Sequence, residues 1–199
     1  MPLVPEAYLD ARRREILAAA HRCLARDGFR DASMDRIAAE AGLSVGALYR
    51  YFDGKEALIE ALAGAGRVEL QSVLKSLEPG SGVEGLATLI SRMVASLGPI
   101  GEAQDVVRFD VRIWGEALGQ PRLQRLAANS LRSLLDPIAA YVRSEQEAGG
   151  MRAGQDPDMV ARALVSLLTG LELQLAFDPS LDHNAYAQVV RVLLASLQP

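Results

Sequence analysis

Apolar positions recur three and four residues apart along almost the whole chain, and the gaps between these stretches carry glycine or proline, so the pattern predicts helices throughout. Ile16, Leu17, Ala20, Cys23 and Leu24 mark one face of a first helix, expected from about Ala7 to Asp27, with Gly28 as its stop and Phe29 folding back beneath it. Met34, Ile37, Ala38 and Ala41 mark a second, whose start is capped by the Ser33 hydroxyl. Gly42 ends that helix, because glycine takes the left-handed conformation that closes a helix without steric penalty. Ser44 then caps a third, from Ser44 to Phe52, flanked by Leu43 and Leu48 at the positions of a hydrophobic staple. Asp53 and Glu56 read as a capping box for a fourth, beginning at Gly54-Lys55 and running through Leu58, Leu62, Leu70, Val73 and Leu77. Gly64 and Gly66 inside it either soften it into a hinge or permit close packing.

The clearest linker is Glu78 to Gly82, reading E-P-G-S-G. Beyond it the spacing predicts helices over Val83 to Leu97, Ala103 to Leu118 and Pro121 to Ala148; Asp136-Pro137 either kinks the last of these or starts a fresh helix. Asp156-Pro157 opens a helix striped by Met159, Leu164, Leu167, Leu168, Leu171 and Leu175. After Asp178-Pro179, Tyr186, Val189, Val190, Leu193 and Leu194 stripe another. The fold expected is all-α: a helix-turn-helix domain over 6–53, a connecting helix and linker over 54–80, and a larger domain over 81–199.

Helix, glycine turn and short helix between Ser33 and Phe52 form the layout in which a second helix enters the DNA major groove. Leu48 and Phe52, four apart, must point inward, which leaves Val45, Gly46, Ala47, Tyr49, Arg50 and Tyr51 on the remaining arc. Tyrosine hydroxyls and arginine bond phosphate oxygens, small residues let the backbone approach base edges, and the Ser33 and Ser44 caps sit at positive helix ends. Taken alone, an ordinary helical hairpin with solvated polar residues is the commoner use of such a turn, though a purely structural helix has no need of two outward tyrosines and an arginine.

The wording I-A-x-x-A-G-L-S-x-G-A-L-Y-R-Y-F-x-x-K-E-A-L, from Ile37 to Leu58, closely resembles the N-terminal domain of TetR-family transcriptional regulators. The resemblance implies a homodimeric repressor with a small DNA-binding head and a larger ligand-receiving body. By position it assigns Val45, Gly46 and Ala47 to base edges, Tyr49 and Tyr51 to phosphates, Arg50 to a base or phosphate, and Lys55 to a phosphate. Many members carry threonine where this chain has Ala47, so contact there reduces to an apolar one. The stretches W-G-E-A-L-G-Q-P-R-L and T-G-L-E-L-Q-L-A-F-D-P look like BetI or AcrR-type C-terminal domains. TetR-like proteins dimerise through their last two long helices, so the resemblance favours a four-helix bundle with a second copy over simple core burial. Leu164, Leu167, Leu171, Val189, Val190 and Leu193 are then the expected interface. Two heads in one dimer imply an approximately palindromic double-stranded DNA operator.

Composition changes this picture little. Of 199 residues 50% are hydrophobic and only 5% aromatic, as in an aliphatic helical protein. No uninterrupted apolar run approaches a membrane span and the N-terminus lacks signal-peptide order, so a soluble, cytoplasmic protein is expected. The net charge of -4 is awkward for a DNA binder, but residues 1–60 hold 9 of the 21 basic and 10 of the 25 acidic residues, so the head is near neutral. Arg12, Arg13, Arg36, Arg50 and Lys55 can gather on one face while Asp27, Asp31 and Glu40 point away. One cysteine, Cys23, excludes an intrachain disulfide and falls on the apolar stripe as a core residue. Nothing reads as a metal or cofactor site or a catalytic motif, which argues against an enzyme; Tyr49, Arg50, Tyr51 and Lys55 argue against an interaction protein that has lost DNA binding. A small-molecule effector, apolar or amphipathic, is expected against Met93, Phe109, Trp114, Tyr141 and Gln174.

Overall fold

The computed structural model describes residues 6–78, 80–96, 111–112 and 114–199, and these are helical with short connections. Helix α1 (Glu6–Asp31) is interrupted at Gly28, whose φ of 76° and ψ of 177° end the regular helix where the sequence places its stop. Helix α2 (Met34–Glu40) starts at Ser33, whose hydroxyl accepts from the Arg36 amide at 3.2 Å, and Gly42 turns the chain with φ 63°. Helix α3 (Val45–Tyr49) is capped by Ser44, which accepts from the Ala47 amide at 3.2 Å. It is shorter than the expected Ser44 to Phe52. The amides of Arg50 and Tyr51 bond back three residues to Ala47 and Leu48, a tighter turn that ends the α-helix.

Helix α4 (Lys55–Lys75) is continuous across Gly64 and Gly66. Its N-cap is Gly54, with no side-chain cap bond, so the expected Asp53 capping box is not made. The Lys55 ammonium holds this end of the helix by another route, described below. After α5 (Gly82–Ser96), a helical segment, α6, covers 111–112 and 114–118, followed by α7 (Pro121–Glu147), α8 (Pro157–Phe177) and α9 (His183–Leu194). Helix α7 runs through Pro137 as one helix, so that proline neither ends nor restarts it. Helix α8 is long and apolar enough, by length and composition, to cross a membrane, yet Ala161, Leu164, Val165, Leu168, Leu171 and Leu175 lie in the interior.

Two apolar cores form, and α4 belongs to both. Its N-terminal Leu58 and Ile59 pack with Ile16, Leu24, Ile37, Leu48 and Phe52 in the head. Its Leu70 and Val73 pack with Leu86, Leu89 and Ile90 of α5, Ile138 of α7, Leu171 of α8 and Val190 of α9 in the body. The head core is completed by two residues from far along the chain, Ala117 of α6 and Leu123 of α7, both buried. The Glu78–Gly82 linker is pinned: the Glu145 carboxylate accepts from the Gly80 and Gly82 amides at 3.1 and 2.8 Å, and the Tyr141 hydroxyl donates to the Gly82 carbonyl at 3.0 Å. Burial, reinforced by the Glu145 charge, pushes the Tyr141 phenol up to about 12, so it stays a donor across the ordinary pH range.

Of the six residues expected on a dimer seam, Leu164, Leu171 and Val190 are buried in the protomer's own core. The apolar stripe of α8 and α9 is wide, and this inner half of it is used in folding the protomer. Leu167 is half-buried, its carbonyl accepting from the Tyr186 hydroxyl at 2.8 Å. Val189 and Leu193 are exposed, and the same outer face of α8 and α9 carries Leu173, Phe177 and Val192, the last 73% exposed.

Candidate nucleic-acid interface

The outward arc of α3 rests on two inward anchors: Leu48 is fully buried and Phe52 nearly so, and with Leu43 packed beside them they fix how α3 leaves the turn. Tyr49 then stands out from the head, 50% exposed, and Arg50 is exposed beside it. Gly46 is exposed with nothing within 4 Å of where a Cβ would sit, so the start of α3 presents bare backbone to the outside. Ser33 and Ser44 are exposed at the positive ends of α2 and α3. Ala47 and Val45 are half-buried, Val45 packing against the head core.

Two residues expected on this face are placed otherwise. Tyr51 is half-buried, its ring packed against the head core and its carbonyl accepting from Arg13 at 3.4 Å, while the Arg13 guanidinium lies over the Phe52 ring at 4.3 Å. Lys55 turns inward: its ammonium donates to the Phe29 carbonyl and, at 2.8 Å, to the Ala32 carbonyl, and sits 4.2 Å from the centroid of the Phe29 ring. Two open carbonyls and a π-face take up the ammonium, an arrangement that the spacing from Phe52 to Lys55 alone does not reveal. Desolvation pulls the Lys55 ammonium below the usual lysine range, opposed by the negative charges of Glu116 and Glu56.

The expected gathering of cations is also revised. Arg36 pairs with Asp27 at 3.4 Å, Arg26 with Asp27 at 2.9 Å and with Glu40 at 3.3 Å, and Arg22 with Glu40 at 3.0 Å, a lattice that staples α1 to α2. The hydrogen bond from Arg26 holds Asp27 below the usual carboxylate range, and those from Arg22 and then Arg26 do the same for Glu40. Asp27 and Glu40 therefore neutralise cations instead of pointing away from them. Arg12 is paired with Glu15, and among the described residues Arg50 makes no salt bridge. Cys23, buried, donates to Asp27 at 3.6 Å, and burial pushes its thiol up, as suits a core residue.

Of the residues expected around an effector, four are described. Met93 and Tyr141 are half-buried against the body core, and Phe109 lies outside the described residues. Trp114 is exposed, on the side of α6 opposite Arg112 and Glu116, which face the head; Gln174 is exposed on the outer side of α8 with Leu173 and Phe177.

Two residues whose part in the joint between head and body the local sequence does not show are Arg112 and Glu116. Arg112 donates to the carbonyls of Ala25 at 3.1 Å and Arg26 at 2.9 Å, and Glu116 accepts from the Phe29 amide at 3.0 Å. Their partners are backbone groups in a distant part of the chain, so no local spacing signals them. The head is therefore clasped to the body at the C-terminal end of α1.

Three comparisons bear on this arrangement. Residues 16–62 match the model for bacterial regulatory proteins, tetR family, and residues 86–199 that for the BetI-type transcriptional repressor, C-terminal. The HTH-type transcriptional regulator UidR of Escherichia coli is 24% identical over 185 residues, covering 93% of this chain and 92% of its own. The HTH-type transcriptional repressor AcnR of Corynebacterium diphtheriae is 27% identical over 200 residues, covering 100% of both chains. Among solved structures, Salmonella enterica GusR is similar with a TM-score of 0.75 and 25% identity, over 100% of this chain and 99% of its own.

Proposed function

Since the chain belongs to the TetR family of bacterial transcriptional regulators, with a BetI-type C-terminal region, and is not an enzyme, we propose that it represses transcription as a homodimer bound to an approximately palindromic operator. The observation that carries this reading is the presentation of α3: a serine-capped helix held by buried Leu48, turning Tyr49, Arg50 and the bare backbone at Gly46 outward. Val45, Gly46 and Ala47 meet base edges, while Tyr49, Arg50 and, at the positive ends of α2 and α3, Ser33 and Ser44 meet phosphates. Repression in particular is supported by the match to the BetI-type repressor family and by the similarity to the repressor AcnR.

Dimerisation brings two heads to one side of the duplex, and the exposed apolar face of α8 and α9 with Phe177, Val189, Val192 and Leu193 is the surface we assign to it. Release follows when a small apolar or amphipathic effector enters the body near Met93 and Tyr141 and favours a state in which the heads are wrongly spaced; that coupling is reciprocal, because it is a difference in binding free energy.

A gel shift with the DNA flanking the protein's own gene tests the reading. The wild-type chain shifts it in a salt-dependent manner, and Tyr49→Ala weakens binding by about tenfold, the order of one lost charge-assisted phosphate contact. No shift with any duplex, or an unaffected Tyr49→Ala variant, overturns it.

A further inference from the structure

The break in α1 at Gly28 frees the last carbonyls of the helix and the first amide beyond it, and groups from elsewhere take up both. Arg112 covers the carbonyls of Ala25 and Arg26 with one guanidinium, and Glu116 receives the Phe29 amide. The carbonyl of the same residue, Phe29, receives the Lys55 ammonium from the first turn of α4. Phe29 is thus held on its amide by the body and on its carbonyl by the helix that leads into the body. A Cβ at Gly28 would lie 2.8 Å from Glu116 Oε1 and 3.1 Å from Arg112 Nε, so the approach of α6 is close. Around this crossing, Ala117 and Leu123 are buried in the head core, and Arg122 pairs with Glu56 at 3.1 Å. The second oxygen of Glu116 is buried without a hydrogen-bond partner, so its placement follows from the Phe29 amide on the other oxygen and the nearby charge of Lys55.

These contacts touch neither the outward arc of α3 nor the exposed face of α8 and α9. They tie the head to the body at a second place besides the continuous helix α4. We propose that Arg112 and Glu116 are positioning residues for operator recognition, setting through the Phe29 peptide and Lys55 the direction in which each body presents its head to the duplex. Lys55 serves in this joint instead of standing on the phosphate-facing surface. The inference rests on the regulator reading above, because only a two-headed DNA binder converts a head angle into affinity. One head on one half-site is indifferent to that angle; two heads on a palindrome are not, since both must reach their grooves together.

The test uses the full chain and two duplexes: a palindrome selected from a random pool by the wild-type protein, and the same duplex with one half scrambled. Anisotropy titrations give the affinity for each, and circular dichroism checks folding. Glu116→Ala and Arg112→Ala are expected to lower affinity for the palindrome by about tenfold or more while leaving the half-site affinity within about twofold. Glu116→Gln, which keeps an acceptor for the Phe29 amide, recovers most of the loss. Should the alanine variants not fold, Arg112→Met decides, since it keeps an unbranched stem but offers no donor to the Ala25 and Arg26 carbonyls that Nη1 serves, and a loss confined to the palindrome is again expected. Equal weakening on both duplexes, or no change on either, overturns the inference and leaves the regulator reading standing. A wild-type chain that prefers no duplex overturns both.

Discussion

Gly28 shows how one residue can be chosen by the backbone and by a neighbour at once. Its φ of 76° lies where a side chain is strained, and the space a Cβ would fill is taken by Glu116 and Arg112. Gly28→Ala is expected to destabilise the folded chain by about 1–3 kcal/mol from the backbone strain alone, measured by chemical denaturation of the full-length protein. The sequence makes Gly28 legible as a helix stop, because a glycine after an apolar stripe is a local signal. It leaves the second reason invisible. Lys55 fails to read for the same reason: its sequence neighbours place it beside a DNA-facing helix, while its ammonium is placed by the open carbonyls of Phe29 and Ala32. Leu48 and Phe52 are fully legible, since a four-residue spacing on a short capped helix leaves their side chains one direction to go.

At the level of elements, α1 and α2 are joined by an ionic lattice whose pH dependence has a definite sign. Asp27 and Glu40 titrate below their ordinary values of 3.8 and 4.5 because Arg26, Arg22 and Arg36 bond their charged forms. A carboxylate whose folded value is depressed contributes stability that is complete above its unfolded value and is lost as the pH falls through the folded one. The melting temperature of the chain should therefore decline below about pH 4.5, and Glu40→Gln should shallow that decline. A melting temperature of the Glu40→Gln variant with the wild-type acid slope would show that the lattice is without effect. Helix starts at Ser33 and Ser44 were legible because capping is local chemistry, whereas the Asp53 box was not realised, its helix end being held by Lys55. The persistence of α7 through Pro137 was open in the sequence. Its packing settles it: Leu135, Ile138, Ala139 and Val142 on both sides of the proline are buried in one core, which outweighs a single missing hydrogen bond.

For the whole molecule, the division of α8 and α9 into an inner and an outer face separates the half that folds the protomer from the half proposed above for dimerisation. Leu171→Ala, at a fully buried position, is expected to cost about 2–5 kcal/mol of protomer stability. Leu193→Glu, on the outer face, should leave the helical spectrum intact and convert the dimer to monomer in sedimentation equilibrium; a dimer that survives it would remove this face from the interface. The helical class was legible from periodicity and glycine breaks. Which half of a wide apolar stripe faces inward was not, because Leu171 and Leu193 are the same residue type and only the surrounding helices distinguish them.

The completion of the head by Ala117 and Leu123 has a consequence for how the protein is made. A nascent chain emerges N-terminus first, and with the segment up to Lys75 outside the ribosome it still lacks two of the residues that close the apolar interior around Ile37 and Leu58. That interior stays open to water until the beginning of α7 has been synthesised, so the part that would touch DNA matures together with the part that would govern it. A graft that transplants only the first helices onto another scaffold carries an unfinished interior, and the transferable unit must include the corner at residues 111–127.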